Sequence, residues 1–242
     1  MNKQSTKEST PLSIVVPAYK QADSLISNIS QLDSYLKHTF ATYELIVVVD
    51  GNTDGSCQAL ALSPDLQHVQ VICFAKNGGK GQALAAGFRA TQHNTIAYID
   101  AGGDINHTSL KTMLQLLHSQ TYDIVIGSKR HPASQVRYPW LRRLYSRLYQ
   151  TIVSLFFKLS VTDTQVGLKV FRREVITDTL PHLRCRRFGF DLELLVVANN
   201  QGYHQIIEAP VIIEHNFRST INLLDAGHTL VETVRIFFTH RR

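Results

Sequence analysis

Five times in its first 130 residues the chain repeats one pattern: a short apolar, β-branched run that stops at a polar turn. The runs are LSIVVPAY (12–19), ELIVVVD (44–50), VQVICFA (69–75), NTIAYIDA (94–101) and YDIVIGS (122–128). Runs of this length with little polar alternation predict strands buried on both faces. The intervening segments have helical period. In QADSLISNISQLDSYLKH (21–38), Leu25, Ile29, Leu32 and Leu36 fall at three-to-four spacing and predict an amphipathic helix. Further helices are expected after GNTDG, through about Arg89, and near 108–118. Strands alternating with helices mean an α/β fold, with a mostly parallel central sheet flanked by helices. Ligands of such sheets sit outside the carboxyl ends of the strands. PAYK, DGNTDG, KNGGKG, DAGGD and GSKR all follow strands, so five polar loops converge on one edge.

The 242 residues suffice for one domain with a proper core. We read 1–10 as a disordered leader and 11–242 as a single domain, with a ligand-binding half (11–130) and a second half (131–242) carrying basic amphipathic helices. Hydrophobic content of 44% against 18% charged residues excludes a disordered chain. The net charge of +6 favours anionic partners. Cys57, Cys73 and Cys185 lie far apart with no CxxC pair, which predicts reduced thiols and a cytosolic setting. The polar N-terminus has no apolar h-region, and no run of about 18 apolar residues occurs. Any membrane contact is therefore expected from the side. HExxH, GxSxG and the Walker A order are all absent. Aromatics interleaved with a base-reading element are absent too, which argues against a nucleic-acid partner.

The loops have the chemistry that a nucleoside diphosphate requires. Pro17, Ala18 and Tyr19 end a strand where a flat base can lie against backbone and ring. Asp50 ends the next and can accept hydrogen bonds from base or ribose. In KNGGKG the glycines permit close backbone approach, and Lys80 offsets phosphate charge. DAGGD supplies a candidate metal pair, Asp100 and Asp104, with Asn106 and His107 nearby. Hard oxygen ligands with open positions suit Mg²⁺ or Mn²⁺ on a pyrophosphate.

RYPWLRRLYSRLYQTIVSLFFKLS (137–160) holds Arg137, Arg142, Arg143, Arg147 and Lys158 and no acid. Trp140, Leu144, Leu148, Ile152, Leu155 and Phe156 recur at helical spacing, the pattern of an interfacial helix. A last amphipathic helix near 219–238 ends in basic THRR.

In order, VVPAYK, VVDGNTDGS, NGGKGQA, YIDAGGD, GSKR, DTQVGLKVFRRE and FGFDLELL resemble glycosyltransferase family 2, from about residue 12 to 238. The DTQ-x-G-x-K-x-F block with F-D-x-E-L-L resembles the branch that makes dolichol-phosphate glucose and mannose. The resemblance implies a GT-A fold, and inverting transfer of a hexose from UDP-glucose or GDP-mannose to a polyprenyl phosphate. It implies a divalent cation and a peripheral position on the cytosolic face of a membrane. It also assigns residues. Pro17, Ala18, Tyr19, Asp50, Lys80 and Asp100 bind the donor; Lys129, Arg130, Arg142 and Arg143 bind the acceptor phosphate. Gln165, Lys169, Asp191 and Glu193 serve catalysis beside them, and Asp191 is the base candidate if the acceptor is a hydroxyl. His215 falls where it approaches the pyrophosphate. The chain departs from the family pattern at Gly102, the second acid of Asp-x-Asp, and at Val49, Lys20 and Lys129. Two other readings stay open: a family 2 transferase acting on a sugar hydroxyl, and a nucleotide-sugar-binding protein without turnover.

Overall fold

Seven strands form one sheet: β1 (Leu12–Ala18), β2 (Tyr43–Asp50), β3 (Gln70–Phe74), β4 (Thr95–Ile99), β5 (Ile124–Ser128), β6 (Leu168–Arg172) and β7 (Ile206–Pro210), in the order β3-β2-β1-β4-β6-β5-β7. The structure is a computed structural model, and it describes residues 7–119, 121–136, 149–157, 159–213 and 223–241. The sheet is parallel except for β6, which runs antiparallel to both β4 and β5. That one reversal matters for the site. It sets the loop before β6, which holds DTQVG, at the same sheet edge as the carboxyl ends of β1, β2 and β4.

The helices are α1 (Ala22–Thr39), α2 (Ser56–Ala61), α3 (Lys80–Ala90), α4 (Thr108–Ser119), α5 (described over 149–156), α6 (Arg173–Thr179), α7 (Phe190–Asn200) and α8 (Leu223–His240). In α1, Leu25, Ile29, Leu32 and Leu36 all face the core, as their spacing predicts. One apolar layer places α1 and α4 against Ile14, Val16, Val47 and Val170. The opposite layer packs α3 and α7 against Val15, Val48, Tyr98 and Phe171. Both faces of the sheet are thus covered, which is why its strands lack polar alternation. A third, smaller cluster joins Val153 and Phe157 to Leu192, Val196 and Ile236, seating α5 and α8 on α7.

Two expectations change. Cys57 and Cys73 are not free thiols but form a disulfide that ties the start of α2 to the edge strand β3. Their separation in sequence hid this, because the β2–α2 connection folds back over β3; only Cys185 is a free thiol. Within the leader, Glu8 pairs with Phe40 in an isolated bridge. Most of 137–160, including Trp140, Arg142 and Arg143, lies outside the described residues, as does His215. No helix among the described residues is long and apolar enough to cross a membrane.

Candidate active site

A cavity of about 770 Å³ opens at the sheet edge where the polar loops meet. This volume suits a small-molecule ligand. Its lining includes Pro17, Ala18, Tyr19, Asp50, Lys80, Asp100, Asp104, Lys129, Gln165 and Asp191. Ten side chains singled out from seven separate sequence segments therefore share one space.

Within it their tasks divide. Asp50, expected to meet base or ribose, spends both carboxylate oxygens on the glycine-rich turn between β3 and α3. Oδ1 accepts the Gly78 N–H at 2.7 Å, and Oδ2 accepts the Gly79 N–H at 2.7 Å and the Asn77 side-chain amide at 3.1 Å. The residue is 2% exposed and acts as the holder of the glycine-rich turn. Gly79 has φ +102°, a conformation that disfavours any side chain. That turn starts α3 and aims Lys80 into the cavity.

Lys80 bridges two acids. Its Nζ lies 2.8 Å from Asp100 Oδ1, 3.1 Å from Asp100 Oδ2 and 3.0 Å from Asp191 Oδ2. Asp191 in turn accepts from Lys169 Nζ at 2.7 Å and from the Tyr98 hydroxyl. Lys169 is 0% exposed; it also donates to Tyr98 Oη at 2.7 Å and to the Val166 carbonyl at 2.8 Å. Burial alone raises the Asp191 pKa, but Lys169 and Lys80 outweigh it and bring the carboxyl down to about 2. Burial pushes Lys169 below the usual lysine range despite Asp191. For Lys80 burial also opposes the charge, yet Asp100 and Asp191 prevail and its pKa rises. The result is a pair of ammoniums interleaved with a pair of carboxylates, in which Asp191 is ionised and fully engaged.

The remaining predicted residues sit as follows. Lys169 lies behind Asp191, out of reach of the cavity. Glu193 is 1% exposed and outside the lining. Its carboxylate accepts the N–H groups of Arg184 at 2.8 Å and Cys185 at 2.7 Å, and pairs with His240 Nε2 at 2.8 Å. It thereby anchors the loop before α7 and the end of α8. Gln165 lines the cavity, and its Nε2 has no hydrogen-bond partner among the described residues. Lys129 lines it too, its N–H held by Asp163 at 2.9 Å. Arg130 follows in the chain but is not part of the lining. Asn106 is used locally: its Oδ1 accepts the Thr108 N–H at 2.8 Å and caps α4.

Asp100 and Asp104 offer two hard carboxylates at the cavity wall. No group of three or more metal-ligating side chains occurs among the described residues, so a divalent cation there would also need oxygens from a bound ligand. A Cβ built on Gly102 would stand 3.7 Å from Asp104 Oδ2. The Asp104 carboxylate therefore sits beside the space that an acid at 102 would enter. The Asp100 side chain is 45% exposed and open to the cavity. A metal held by these two acids would neutralise charge on a departing diphosphate.

Sequence reasoning missed Arg187 and Phe188, which line the cavity from the loop before α7. Phe188 is 53% exposed, a large apolar side chain held open at the rim. The signal was present as RRF directly before GFDLE.

Residues 13–180 match the family model for Glycosyl transferase family 2. A dolichyl-phosphate beta-glucosyltransferase of Trichomonas vaginalis is 30% identical over 240 residues, covering 95% of this chain and 74% of the relative. Its counterpart in Drosophila melanogaster is 31% identical over 208 residues, covering 79% and 64%. The chain thus spans roughly two thirds to three quarters of these relatives' length. Among solved structures, glucosyl-3-phosphoglycerate synthase from Mycobacterium tuberculosis, in complex with Mn²⁺, UDP and glucosyl-3-phosphoglycerate, superposes with a TM-score of 0.71 at 18% identity. That match covers 95% of this chain and 80% of the other, and it bears on the fold alone. Strand order, converging loops and the match over 13–180 agree, and the chain belongs to glycosyltransferase family 2, with the GT-A fold and the glycosyltransferase activity of that family.

Proposed function

We propose that the protein transfers a glucosyl residue from a nucleotide-diphosphate sugar to the phosphate of a polyprenyl lipid, with inversion at the anomeric carbon. The observation that carries this reading is the state of Asp191. A hydroxyl acceptor requires a base to take its proton, and the acid best placed for that is tied to Lys80, Lys169 and Tyr98 with a pKa near 2. A phosphate acceptor is ionised at neutral pH and requires no such base. The names of the relatives support the same acceptor and sugar.

In this reading the nucleoside lies against Pro17–Tyr19, and the turn held by Asp50 presents Lys80 to the diphosphate. Asp100 and Asp104 hold the divalent cation. Lys129 and Gln165 face the acceptor phosphate, which attacks the anomeric carbon as the diphosphate departs.

The lipid reaches the site from a membrane surface. Val231, Val234 and Phe238 expose one stripe of α8, beside Leu155 and Phe156 of α5, and Phe156 meets Phe237 at 4.9 Å. Arg241 stacks on Phe237 at 5.3 Å, placing a cation at the edge of this apolar face. Basic and aromatic residues around an apolar stripe suit an anionic lipid–water boundary.

The test is a pair of incubations with polyprenyl phosphate, one with labelled UDP-glucose and one with labelled GDP-mannose. Label is expected in the organic extract with the glucosyl donor. Label in the extract from GDP-mannose alone would reassign the sugar, and label in neither would reject the lipid acceptor.

A further inference from the structure

The Lys80 ammonium lies against both oxygens of Asp100, at 2.8 and 3.1 Å. A divalent cation bound to either oxygen of Asp100 would have to share it with this ammonium. Two lysines and two aspartates already balance in this cluster, so a divalent cation arriving on Asp100 meets a monovalent charge in its place. At such separations, repulsion between cations in a partly buried site amounts to several kcal/mol. Lys80 has a second partner to retreat to, because Asp191 Oδ2 is 3.0 Å away. Asp191 does not follow it, since its other oxygen is held by Lys169 and Tyr98 in the core.

We propose that Lys80 is the resident counter-ion of Asp100 in the donor-free protein, competing there with the divalent cation. On this view Asp191, fixed by Lys169, is the positioning residue that keeps the displaced ammonium within reach of the donor's phosphates. The inference rests on the metal-dependent donor site described above and adds how that site assembles. Metal alone binds weakly because it must evict Lys80. Metal with nucleotide binds well because the diphosphate takes up the evicted charge. The coupling is reciprocal, so nucleotide binding strengthens with metal by the same factor.

The experiment is a titration of Mn²⁺, followed by electron paramagnetic resonance, with and without UDP, on the wild type and on Lys80→Met. Without nucleotide, Mn²⁺ is expected to bind Lys80→Met about tenfold or more tighter than the wild type, a change of about 1.4 kcal/mol. UDP without metal is expected to bind the variant more weakly. Equal or weaker Mn²⁺ binding by Lys80→Met overturns the proposal. A second measurement needs no variant: amine acylation of Lys80 in the wild type, read by mass spectrometry. Mg²⁺ alone should raise that labelling severalfold, and an unchanged rate contradicts the eviction. Neither measurement uses a lipid acceptor. A failed lipid assay therefore leaves them intact, and lipid transfer accompanied by unaltered Mn²⁺ binding rejects only the role of Lys80.

Discussion

Gly167 makes room for Asp100: a Cβ at 167 would lie 2.0 Å from Asp100 Oδ2, while the Gly167 carbonyl accepts the Asp100 N–H at 2.8 Å. The glycine of DTQVG and the first acid of DAGGD are thus parts of one device, a backbone clasp with space for the carboxylate.

Replacing that glycine tests the clasp. Gly167→Ala is expected to push the Asp100 carboxylate aside and lower kcat/KM by about a hundredfold, the scale of a misplaced catalytic group. Mn²⁺ binding in the presence of UDP should fall in parallel. The folded state should survive, as judged by an unaltered circular dichroism spectrum.

Lys169 is expected to matter through Asp191. Lys169→Met leaves a buried carboxylate short of its main partner, which destabilises by about 3–5 kcal/mol. Adding Asp191→Asn should recover part of that loss, since the two changes share one interaction. Urea denaturation of both single variants and the double variant measures it; strictly additive losses would mean the pair does not interact.

The acid response follows from the Asp191 shift. Its folded pKa of about 2 lies below the ordinary aspartate value of about 3.9. Its contribution to stability is therefore complete above about pH 4 and is lost as pH falls towards 2. Between pH 5 and 8 Asp191 stays charged, so it adds no ionisation to the rate profile. The acid limb of kcat/KM is expected near pH 6, from the second ionisation of the acceptor phosphate. A limb that moves in Asp191→Asn would show that Asp191 titrates during turnover.

The disulfide offers an independent check on the edge of the sheet. Cys57 and Cys73 close a loop with a sequence separation of 16. Opening it should lower stability by about 3 kcal/mol through the loop entropy of the unfolded chain. Thermal unfolding of Cys57→Ser/Cys73→Ser against the wild type reads this directly.

The membrane face proposed for α5 and α8 predicts a separable phenotype. Phe238→Glu or Leu155→Glu should abolish co-flotation with vesicles containing anionic lipid while leaving UDP binding unchanged. Both positions are more than two-thirds exposed, at 71% and 79%, so folding should be unaffected.

Much of this architecture was legible in the residues. The five β-branched runs became strands because burial on both faces leaves no room for polar alternation, and their turns met because parallel strands share a carboxyl edge. DTQVGLKVF pointed to the site without showing how. Only the antiparallel placement of β6 brings Gly167 under Asp100 and threads Lys169 beneath Asp191. Glu193 shows the limit of motif reading. Two positions from Asp191 on α7, it faces a different neighbour, and its carboxylate holds a loop and His240. The pairing of Cys57 with Cys73 was invisible for the same reason, since sequence spacing does not report how a loop folds back.

The most direct measurement compares two acceptors that differ in one group: a polyprenyl phosphate and the same polyprenol without phosphate, each with labelled UDP-glucose and Mg²⁺. An acceptor that brings its own ionised oxygen should give labelled lipid from the phosphate and none from the polyprenol. Equal labelling of the free alcohol, or transfer only to a sugar hydroxyl, would contradict the role assigned to Asp191 and the phosphate acceptor with it.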